Sequence, residues 1–518
     1  MATEGQVLGT WILIAFYAVA ILFFVVRGAL KIKSMNDYAV GNVSFSPYFV
    51  GLSLAAAMTS AATFVINPGL IALYGISGIL SFGLFFPLAS VVSLAVLTKS
   101  FRRYGDSVKA VSLASWIGKR FNNKSYALFI AFLSVLLITF IVLILVALTK
   151  VFASALNTNE IWTLAVIVIF VFGYMMFGGA NSMVYTNVIQ ASIMIVVAVI
   201  LIFSGLPHFE GGISGFFSQL AGIDPALVKP TNPSSPLFRD FYEIAFAQIV
   251  IGIAVVCQPH IITKSLLLKN EADVNKFLIT SIVVELLFFS VIIAGLYARL
   301  EFPDLTLNGQ KLATDSIIPS YVVKVFSNGL VATLVGLLVI LGLVSAGMST
   351  LEGLIQSLSS SITNDIIKPM WGDKKSFADR KYIKFNRAII IALAIVAFVM
   401  SRNQLLHPKL SVAILAQNGV YAYFSIIFVP ILMGIFIKNV KVWIPFAASV
   451  VAALTHFSVY YFFPFLHSHG VSFGFYNKYL EGIVRNPAIA ASSAIVLSAI
   501  VGFGLMYLTR VKPAKQNQ

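Results

Sequence analysis

The feature that most limits how this chain can fold is a succession of long apolar segments with little charge between them. Of its 518 residues, 59% are hydrophobic and only 10% are charged. Soluble domains carry charge on roughly a quarter of their residues, so this chain cannot cover a water-facing surface of its own. Each long apolar segment can cross roughly 30 Å of hydrocarbon as a helix. The sequence therefore predicts an all-α integral membrane protein.

Hydropathy predicts about thirteen transmembrane helices along the chain. They lie at residues 8–27, 47–74, 78–98, 125–155, 161–177, 183–206, 241–263, 276–299, 326–362, 386–403, 411–437, 443–464 and 486–508. The groups 47–206 and 241–437 each hold five spans, and an odd number inverts the second group relative to the first. Such inverted repeats build alternating-access transporters. An extra N-terminal helix, 8–27, and two C-terminal helices, 443–508, complete a single polytopic membrane domain, 1–518.

Basic residues concentrate in alternate connecting segments. One set of segments holds 25 of the 35 Lys and Arg residues, and the opposite set holds 9. The richer set comprises residues 27–46, 99–124, 264–276, 363–387, 438–442 and the tail from 509. Basic segments stay on the cytoplasmic side, so we expect an external N-terminus and a cytoplasmic C-terminus in a plasma or inner membrane. Contact with anionic membrane lipids explains the net charge of +16 without a nucleic-acid partner.

A helix interruption is predicted in the first five-span group, which reads SLAAAMTSAATFVINPG at 53–69. Small residues from Ala55 to Ala62 allow other helices to approach closely, and Asn-Pro-Gly at 67–69 disfavours a continuous helix. Unpaired carbonyls in a bilayer are tolerated only where they line a cavity or are covered by protein. A broken helix exposing carbonyls near Ala56 and Thr59 is the favoured interpretation; a packed proline kink is the alternative.

A second interruption is predicted at the corresponding place in the other group, where residues 255–264 read VVCQPHIITK. Pro259 removes a backbone donor and frees a carbonyl one turn earlier, and Gln258 and His260 flank it. Interrupted helices in matching positions are the best sequence pointer to a transport site. For His260 alone, a structural histidine with satisfied hydrogen bonds is the favoured interpretation, and a proton carrier is the alternative.

An unusually oxygen-rich stretch, SAGMSTLEGLIQSLSSS, occupies residues 345–361 at the end of an apolar run. At spacings of four and three residues, one helix face carries Ser345, Ser349, Glu352, Gln356, Ser359 and Thr363. Single hydroxyls in membrane helices bond their own carbonyls or join helices. A stripe that includes a carboxylate points instead to a cavity or a partner.

Sodium, a hard cation, needs several oxygens to replace its water. The hydroxyls of Ser349 and Thr350 and the carbonyl of Ala346 can supply three of them. The broken helix can add the carbonyls of Ala56 and Thr59. These are neutral dipoles, which suit a site that must release its ion as well as bind it.

With these residues the sequence resembles the sodium/solute symporter family. SAGMSTLEGLIQSLSSSITNDI at 345–366 is similar to the family's Ala-x-Met-Ser-Thr helix with its downstream Ser-Ser and Asp. CQPHI at 257–261 resembles the Gly-Gln-Pro-His-Ile of the proline-transporting branch. YMMFGGANSMVYTNVIQA at 174–191 resembles the family's Gly-Gly turn followed by Thr-Asp-x-x-Gln. The resemblance implies the five-plus-five inverted-repeat (LeuT-type) fold.

The resemblance also implies which residues bind. The shared sodium site would be formed by Ala56, Thr59, Ala346, Ser349 and Thr350. The substrate cavity would be lined by Ser60, Thr63, Gln258, His260, Gln417 and Asn418.

The sequence departs from the family pattern at two positions. Asn187 stands where the family commonly has the Asp of Thr-Asp-x-x-Gln, and Glu352 stands where several members have a serine or a small polar residue. In members with a second sodium ion, that Asp and those serines are associated with it. We expect Glu352 to take over the lost charge, at a second cation position or as a protonatable group. A protonated Glu352 that merely hydrogen-bonds to Asn187 or to serines is the alternative.

The function implied by the resemblance is sodium-driven import of a small organic solute, without an organic cofactor or an obligate protein partner. The sequence contains no GxxxxGK[ST] loop, in agreement with a carrier that needs no nucleotide. It also lacks an HExxH pair, which argues against an intramembrane metalloprotease and for a protein that is not an enzyme. A proton-coupled carrier, or a sensor or channel on the same scaffold, is the alternative.

Two residues after the first break limit which solutes the chain is expected to carry. Family members carry proline, pantothenate, sugars, sialic acid and monocarboxylates. Ala62-Thr63 replaces the Glu-Gln usual in the sugar transporters, and Ala62 replaces a tryptophan of the proline branch. The hydroxyls of Ser60 and Thr63 can hold a carboxylate, as in the sialic acid branch, although span 125–155 has no matching arginine. We expect a small carboxylate or amino-acid-like solute.

Overall fold

The computed structural model of the protein describes residues 2–41, 45–108, 110, 112–268, 270–371, 379–407 and 412–510. These residues are almost entirely helical, and they include one short hairpin of β1 (Thr306–Leu307) and β2 (Gln310–Lys311). The predicted cytoplasmic tail lies outside the described residues beyond position 510. The all-α prediction is therefore confirmed for the part of the chain that is described.

Long helical segments make up most of the chain. In order they are α1 (Glu4–Ala29), α2 (Pro47–Met58), α3 (Ala62–Tyr74), α4 (Ile76–Arg103), α5 (Lys124–Leu156), α6 (Glu160–Met175), α7 (Ala180–Phe209), α8 (Tyr242–Val255), α9 (Pro259–Leu267), α10 (Val274–Glu301), α11 (Leu330–Met370), α12 (Lys381–Leu406), α13 (Val412–Phe436), α14 (Trp443–Ser468) and α15 (Pro487–Thr509). Ten of them are long and apolar enough to cross a membrane, judged over the described residues.

Two further spans are formed by bent pairs of helices. The axes of α2 and α3 differ by 53°, and those of α8 and α9 differ by 55°. Counting each pair as one span gives up to twelve spans in the described chain, whereas the predicted span at 161–177 corresponds to the shorter helix α6. The number thirteen stays a prediction.

The bent pair α2 and α3 breaks at Thr59 rather than at the Asn-Pro-Gly sequence. Thr59 has an extended backbone (φ −99°, ψ 104°). The amide of Thr63, which would bond Thr59 in a continuous helix, donates instead to the carbonyl of Ser60 at 2.9 Å. The hydroxyl of Ser60 accepts from the amide of Ala62 at 3.0 Å and thereby caps the start of α3.

The helix continues through residues 67–69, so Asn-Pro-Gly does not cause the break, which lies near Ala56 and Thr59 as the favoured interpretation expects. Residues Ala62–Ile66 form a wider π turn, and the α-helix Asn67–Tyr74 follows with Pro68 in its first turn. A proline is tolerated in a first turn because its missing N–H has no helical partner there. Gly69 allows this segment to pack closely, since a Cβ at that position would lie 2.1 Å from the carbonyl oxygen of Thr314.

The second break lies where the sequence predicts it. Gln258 is extended (φ −69°, ψ 139°), and Pro259 starts the short helix that follows. The helical segment then runs on to Leu267, four residues beyond the predicted end of that span. Lys264, assigned from the sequence to a cytoplasmic loop, is consequently buried, with 2% of its surface exposed.

The half-helix α2 lies at the centre of the bundle and contacts α7, α10 and α11. On the α10 side, the hydroxyl of Ser281 donates to the carbonyl of Gly51 at 3.1 Å. Small residues make this close packing feasible, because Ala55, Ala56 and Ala57 are fully buried. The first break is therefore enclosed by protein on several sides, as a gap in the backbone hydrogen bonds of a membrane helix requires.

The close approach at Gly69 can be tested with the substitution Gly69→Ala. The added methyl group would overlap a backbone carbonyl, and we expect a cost of about 1–3 kcal/mol and a lower Tm of the detergent-purified protein. Gly173→Ala in α6 is the matched control, because a Cβ there meets no atom within 4 Å. An equal Tm for the two variants would contradict this packing.

Candidate ion and solute site

The first break meets α11 at the oxygen-rich stretch. The hydroxyl of Ser349 donates to the carbonyl of Ala56 at 2.7 Å and to that of Ala346 at 3.1 Å. The hydroxyl of Thr350 donates to the carbonyl of Ala57 at 3.1 Å. All of these residues are completely buried. The structure thus brings together four of the five predicted sodium ligands, from two helices almost three hundred residues apart.

Thr59 occupies the break itself. Its hydroxyl donates to the carbonyl of Ala55 at 2.5 Å. Its own carbonyl loses its helical hydrogen bond, because the amide of Thr63 donates to Ser60 instead. Backbone oxygens released in this way are the kind of ligand that a broken membrane helix supplies to a cation.

The donor set fits a monovalent hard cation. It consists of carbonyl and hydroxyl oxygens, all neutral and all removed from water. No group of three or more His, Cys, Asp or Glu residues that could hold a metal ion occurs in the described part of the chain. Hard oxygen ligands without carboxylates suit weak, reversible binding of an alkali ion better than tight binding of a divalent one.

A cavity of about 840 Å³, counting the open space at its mouth, lies between the two breaks. Five of the six predicted substrate residues line it, namely Ser60, Thr63, Gln258, His260 and Gln417. Most of the remaining wall is apolar and aromatic, with Phe82, Phe86, Phe140, Phe289 and Tyr421. None of the described residues that line this cavity is Asp, Glu, Lys or Arg.

Two residues that line this cavity carry buried polar atoms without partners among the described residues. The Oε1 of Gln258 and both ring nitrogens of His260 are buried and have no hydrogen-bond partner among the described residues. Buried polar groups are nearly always paired. These three atoms are therefore available to a bound molecule or to water, and the expectation of a satisfied structural histidine at position 260 is not met.

Asn418, the sixth predicted substrate residue, contacts α14 instead of lining the cavity. Its Nδ2 donates to the hydroxyl of Tyr461 at 2.6 Å, and its Oδ1 lies 3.1 Å from the Nε2 of His456. These contacts fix α13 against α14. Gln417 lines the cavity, whereas Asn418 is not among the described residues that line it.

Glu352 lies one turn beyond Ser349 on α11 and is 1% exposed. Its carboxylate accepts from the hydroxyls of Tyr174 at 2.6 Å and Thr186 at 2.5 Å, and from the amide of Gln190 at 3.2 Å. Asn187, the residue expected opposite it, is separated from it by Gln190.

Sequence reasoning missed Lys264, whose ammonium lies on the opposite side of Asn187. A signal was present, since the residues after Lys264 (SLLL, 265–268) continue the apolar character of the span. A lysine with apolar residues on both sides lies within the span rather than in a loop, and a charge inside a membrane span needs a partner.

Comparison with known proteins shows which proteins this chain is similar to. The family model described as sodium:solute symporter family matches residues 38–448, a range that contains both breaks and the oxygen-rich stretch of α11. The sodium/pantothenate symporter of Haemophilus influenzae is 26% identical over 369 residues, which cover 70% of this chain and 72% of that protein. The sodium/proline symporter of Staphylococcus aureus is 25% identical over 440 residues, with 82% of this chain and 80% of that protein covered.

Among solved structures, a Na+-coupled sialic acid symporter in a substrate-bound outward-open state has a similar fold. The TM-score is 0.73 at 16% sequence identity, and the match covers 98% of this chain and 99% of the other. At this identity the likeness concerns the fold alone. The chain thus has the LeuT-like architecture implied by its motifs.

The ion site can be tested with Ser349→Ala. Loss of a hydroxyl that bridges Ala56 and Ala346 should weaken sodium binding roughly 10-fold or more, because an interaction with a charged partner contributes about 1.5–3 kcal/mol. The measurement is the sodium concentration that gives half of the maximal thermal stabilisation. Ser357→Ala is the matched control, since among the described residues that hydroxyl bonds only Leu354 of its own helix, at 3.2 Å. A Ser349→Ala protein stabilised by sodium as strongly as the control would contradict the site.

Proposed function

The chain belongs to the sodium:solute symporter family, and from this we propose that it imports a small organic solute, a carboxylate or amino-acid-like compound, together with sodium by alternating access. The observation that carries the proposal is that the predicted ion site and the predicted solute site adjoin each other at the first break. Thr59 belongs to the ion site, and the next residue, Ser60, lines the solute cavity. An ion that orders this break also orders the cavity wall.

In this proposal, sodium is bound by five residues, Ala56, Thr59, Ala346, Ser349 and Thr350. Sodium bound by these oxygens ties α2 to α11. This link stabilises one arrangement of the two helices over others. Because linkage is reciprocal, a solute that prefers the same arrangement raises the affinity for sodium by the factor by which sodium raises the affinity for the solute.

Helix α11 also reaches the second break. Gly353 lies one turn after Ser349, and a Cβ there would lie 3.3 Å from the Cβ of His260. One rigid helix therefore contacts both interruptions, on either side of the cavity. We propose that this contact transmits the state of the ion site to Gln258 and His260.

The solute class follows from the wall of the cavity. The hydroxyls of Ser60, just before α3, and of Thr63, in its first turn, lie at the start of this helix, and the positive end of a helix dipole favours an anionic group. Since no charged side chain lines the cavity among the described residues, a carboxylate would find its counter-charge in the helix end and in the nearby sodium ion. The unpartnered Gln258 and His260 atoms would then bind the polar part of the molecule, with Gln417 beside them.

For alternating access, we propose that residues 47–206 and 241–437 act as inverted repeats around this cavity, with the N-terminus outside and the C-terminus in the cytoplasm. The bent pairs at corresponding positions in the two ranges support the repeat. The bias of basic residues supports the orientation, and it persists when the buried Lys264 is removed from the cytoplasmic set.

Transport can be measured with purified protein in liposomes. A thermal-shift screen of pantothenate, proline and small monocarboxylates, with and without sodium, first identifies a solute whose stabilising effect needs sodium. We expect an inward sodium gradient to concentrate the labelled solute and counterflow of unlabelled solute to exchange it. Accumulation driven by a proton gradient without sodium would refute sodium coupling, and the absence of counterflow would refute a carrier.

His260→Phe separates binding from folding. Both ring nitrogens lack partners among the described residues, so their removal should leave the Tm unchanged or raise it. Solute affinity should fall roughly 3- to 10-fold, which corresponds to one or two hydrogen bonds. His456→Phe is the mirror control, because His456 bonds Asn418 outside the cavity. It should lower the Tm and leave the solute affinity unchanged; the reverse pattern would exclude His260 from the solute site.

A further inference from the structure

A buried lysine lies beside the ion site. The Nζ of Lys264 donates to the carbonyl of Ser53 at 2.8 Å and to its hydroxyl at 2.6 Å. A third acceptor is the Oδ1 of Asn187, at 2.8 Å, when its side-chain amide is oriented to pair donors with acceptors. An ammonium group has three N–H donors. Each of them therefore has an oxygen, and all of these oxygens are neutral.

The orientation of Asn187 is determined by its other neighbours. Its Nδ2 then donates to the Oε1 of Gln190 at 3.0 Å and to the carbonyl of Met183 at 3.3 Å. In the opposite orientation the amide nitrogen would face the ammonium, donor against donor. The chemistry of Lys264 and Gln190 selects the first arrangement.

A relay of two amides leads from the lysine to Glu352. Gln190 accepts from Asn187 and donates through its Nε2 to the carboxylate of Glu352 at 3.2 Å. Both amide dipoles point their oxygens toward the ammonium and their nitrogens toward the carboxylate. The two charges attract each other across these amides, without a direct ion pair between them in the described part of the chain. The buried network is neutral as a whole.

This network flanks the ion site on one side. Ser53 precedes Ala56 by three residues on α2, and Glu352 follows Ser349 by three residues on α11. Ala56 and Ser349 are in direct contact, so both charged groups lie about one helical turn, roughly 5 Å, from that contact. A lone charge buried there would be costly, which is why each charge needs the other.

We propose that the ammonium of Lys264 is a tethered cation that permanently fills a second cation position and limits the transporter to one sodium ion per solute. The cradle formed by Ser53 and Asn187 offers neutral carbonyl, hydroxyl and amide oxygens, which are also the kinds of ligand an alkali ion accepts. Lys264 occupies it with a cationic group that is covalently attached to the chain. Glu352 is then the fixed partner of that charge and binds no mobile ion or proton.

The inference rests on the proposed function insofar as it concerns transport. The number of sodium ions bound per protein can be measured whether or not the protein transports a solute. Sodium ions bound per protein can be counted with radioactive sodium on the purified protein in detergent, without solute. We expect one ion per wild-type protein. Two ions per wild-type protein would overturn the proposal, whatever the variants do. One bound ion together with no solute uptake would refute the proposed function and leave the tethered cation intact.

The variants test the cause. Lys264→Met empties the cradle and leaves Glu352 unbalanced, so we expect a second sodium ion to bind. Lys264→Met combined with Glu352→Gln removes both charges and should return the count to one, with wild-type affinity at the Ser349 site within about threefold. Failure of the single variant to fold, with folding restored in the double variant, also supports the charge pair. A folded Lys264→Met protein that still binds one sodium ion with unchanged affinity would overturn the proposal.

Discussion

The interaction on which the rest of the site depends is the bond between backbone carbonyls of a broken helix and hydroxyls of another helix. In hydrocarbon an unpaired carbonyl is costly, and the break at Thr59 removes helical partners from the carbonyls of α2. Ser349 and Thr350 take their place on Ala56 and Ala57. An ion that binds these carbonyls changes what holds α2 against α11, so ion binding and helix packing are one event.

Helix α11 connects three features within one turn. Ser349 reaches the first break, Glu352 is held by Tyr174, Thr186 and Gln190, and Gly353 leaves room for His260 at the second break. Because a helix is stiff over so short a distance, these groups cannot move independently. The ion site, the buried charge pair and the solute cavity therefore share one mechanical element, which is what coupled binding requires.

The parts of the site that were predictable depend on local properties. The oxygen-rich face of α11 follows from helical spacing, and the second break falls at Gln258 because Pro259 lies in the first turn of the next helix, where its missing donor is tolerated. The break near Ala56 and Thr59 was predicted, but Asn-Pro-Gly at 67–69 is not its cause, because a π turn over Ala62–Ile66 brings Pro68 into a first turn, where it is tolerated. The family resemblance assigned Asn418 to the cavity, whereas in the structure its side chain bonds Tyr461 and His456.

By itself the sequence determined the membrane class, most of the spans, the family motifs and the residues that carry oxygen, because hydropathy and helical periodicity are properties of short stretches. Tertiary structure decided which of those oxygens meet. Ser349 and Ala56 are 293 residues apart in the chain, and no local pattern specifies their contact. Structure alone also showed that Lys264 is buried with Ser53 and Asn187, since the burial of a charge depends on partners that other helices bring to it.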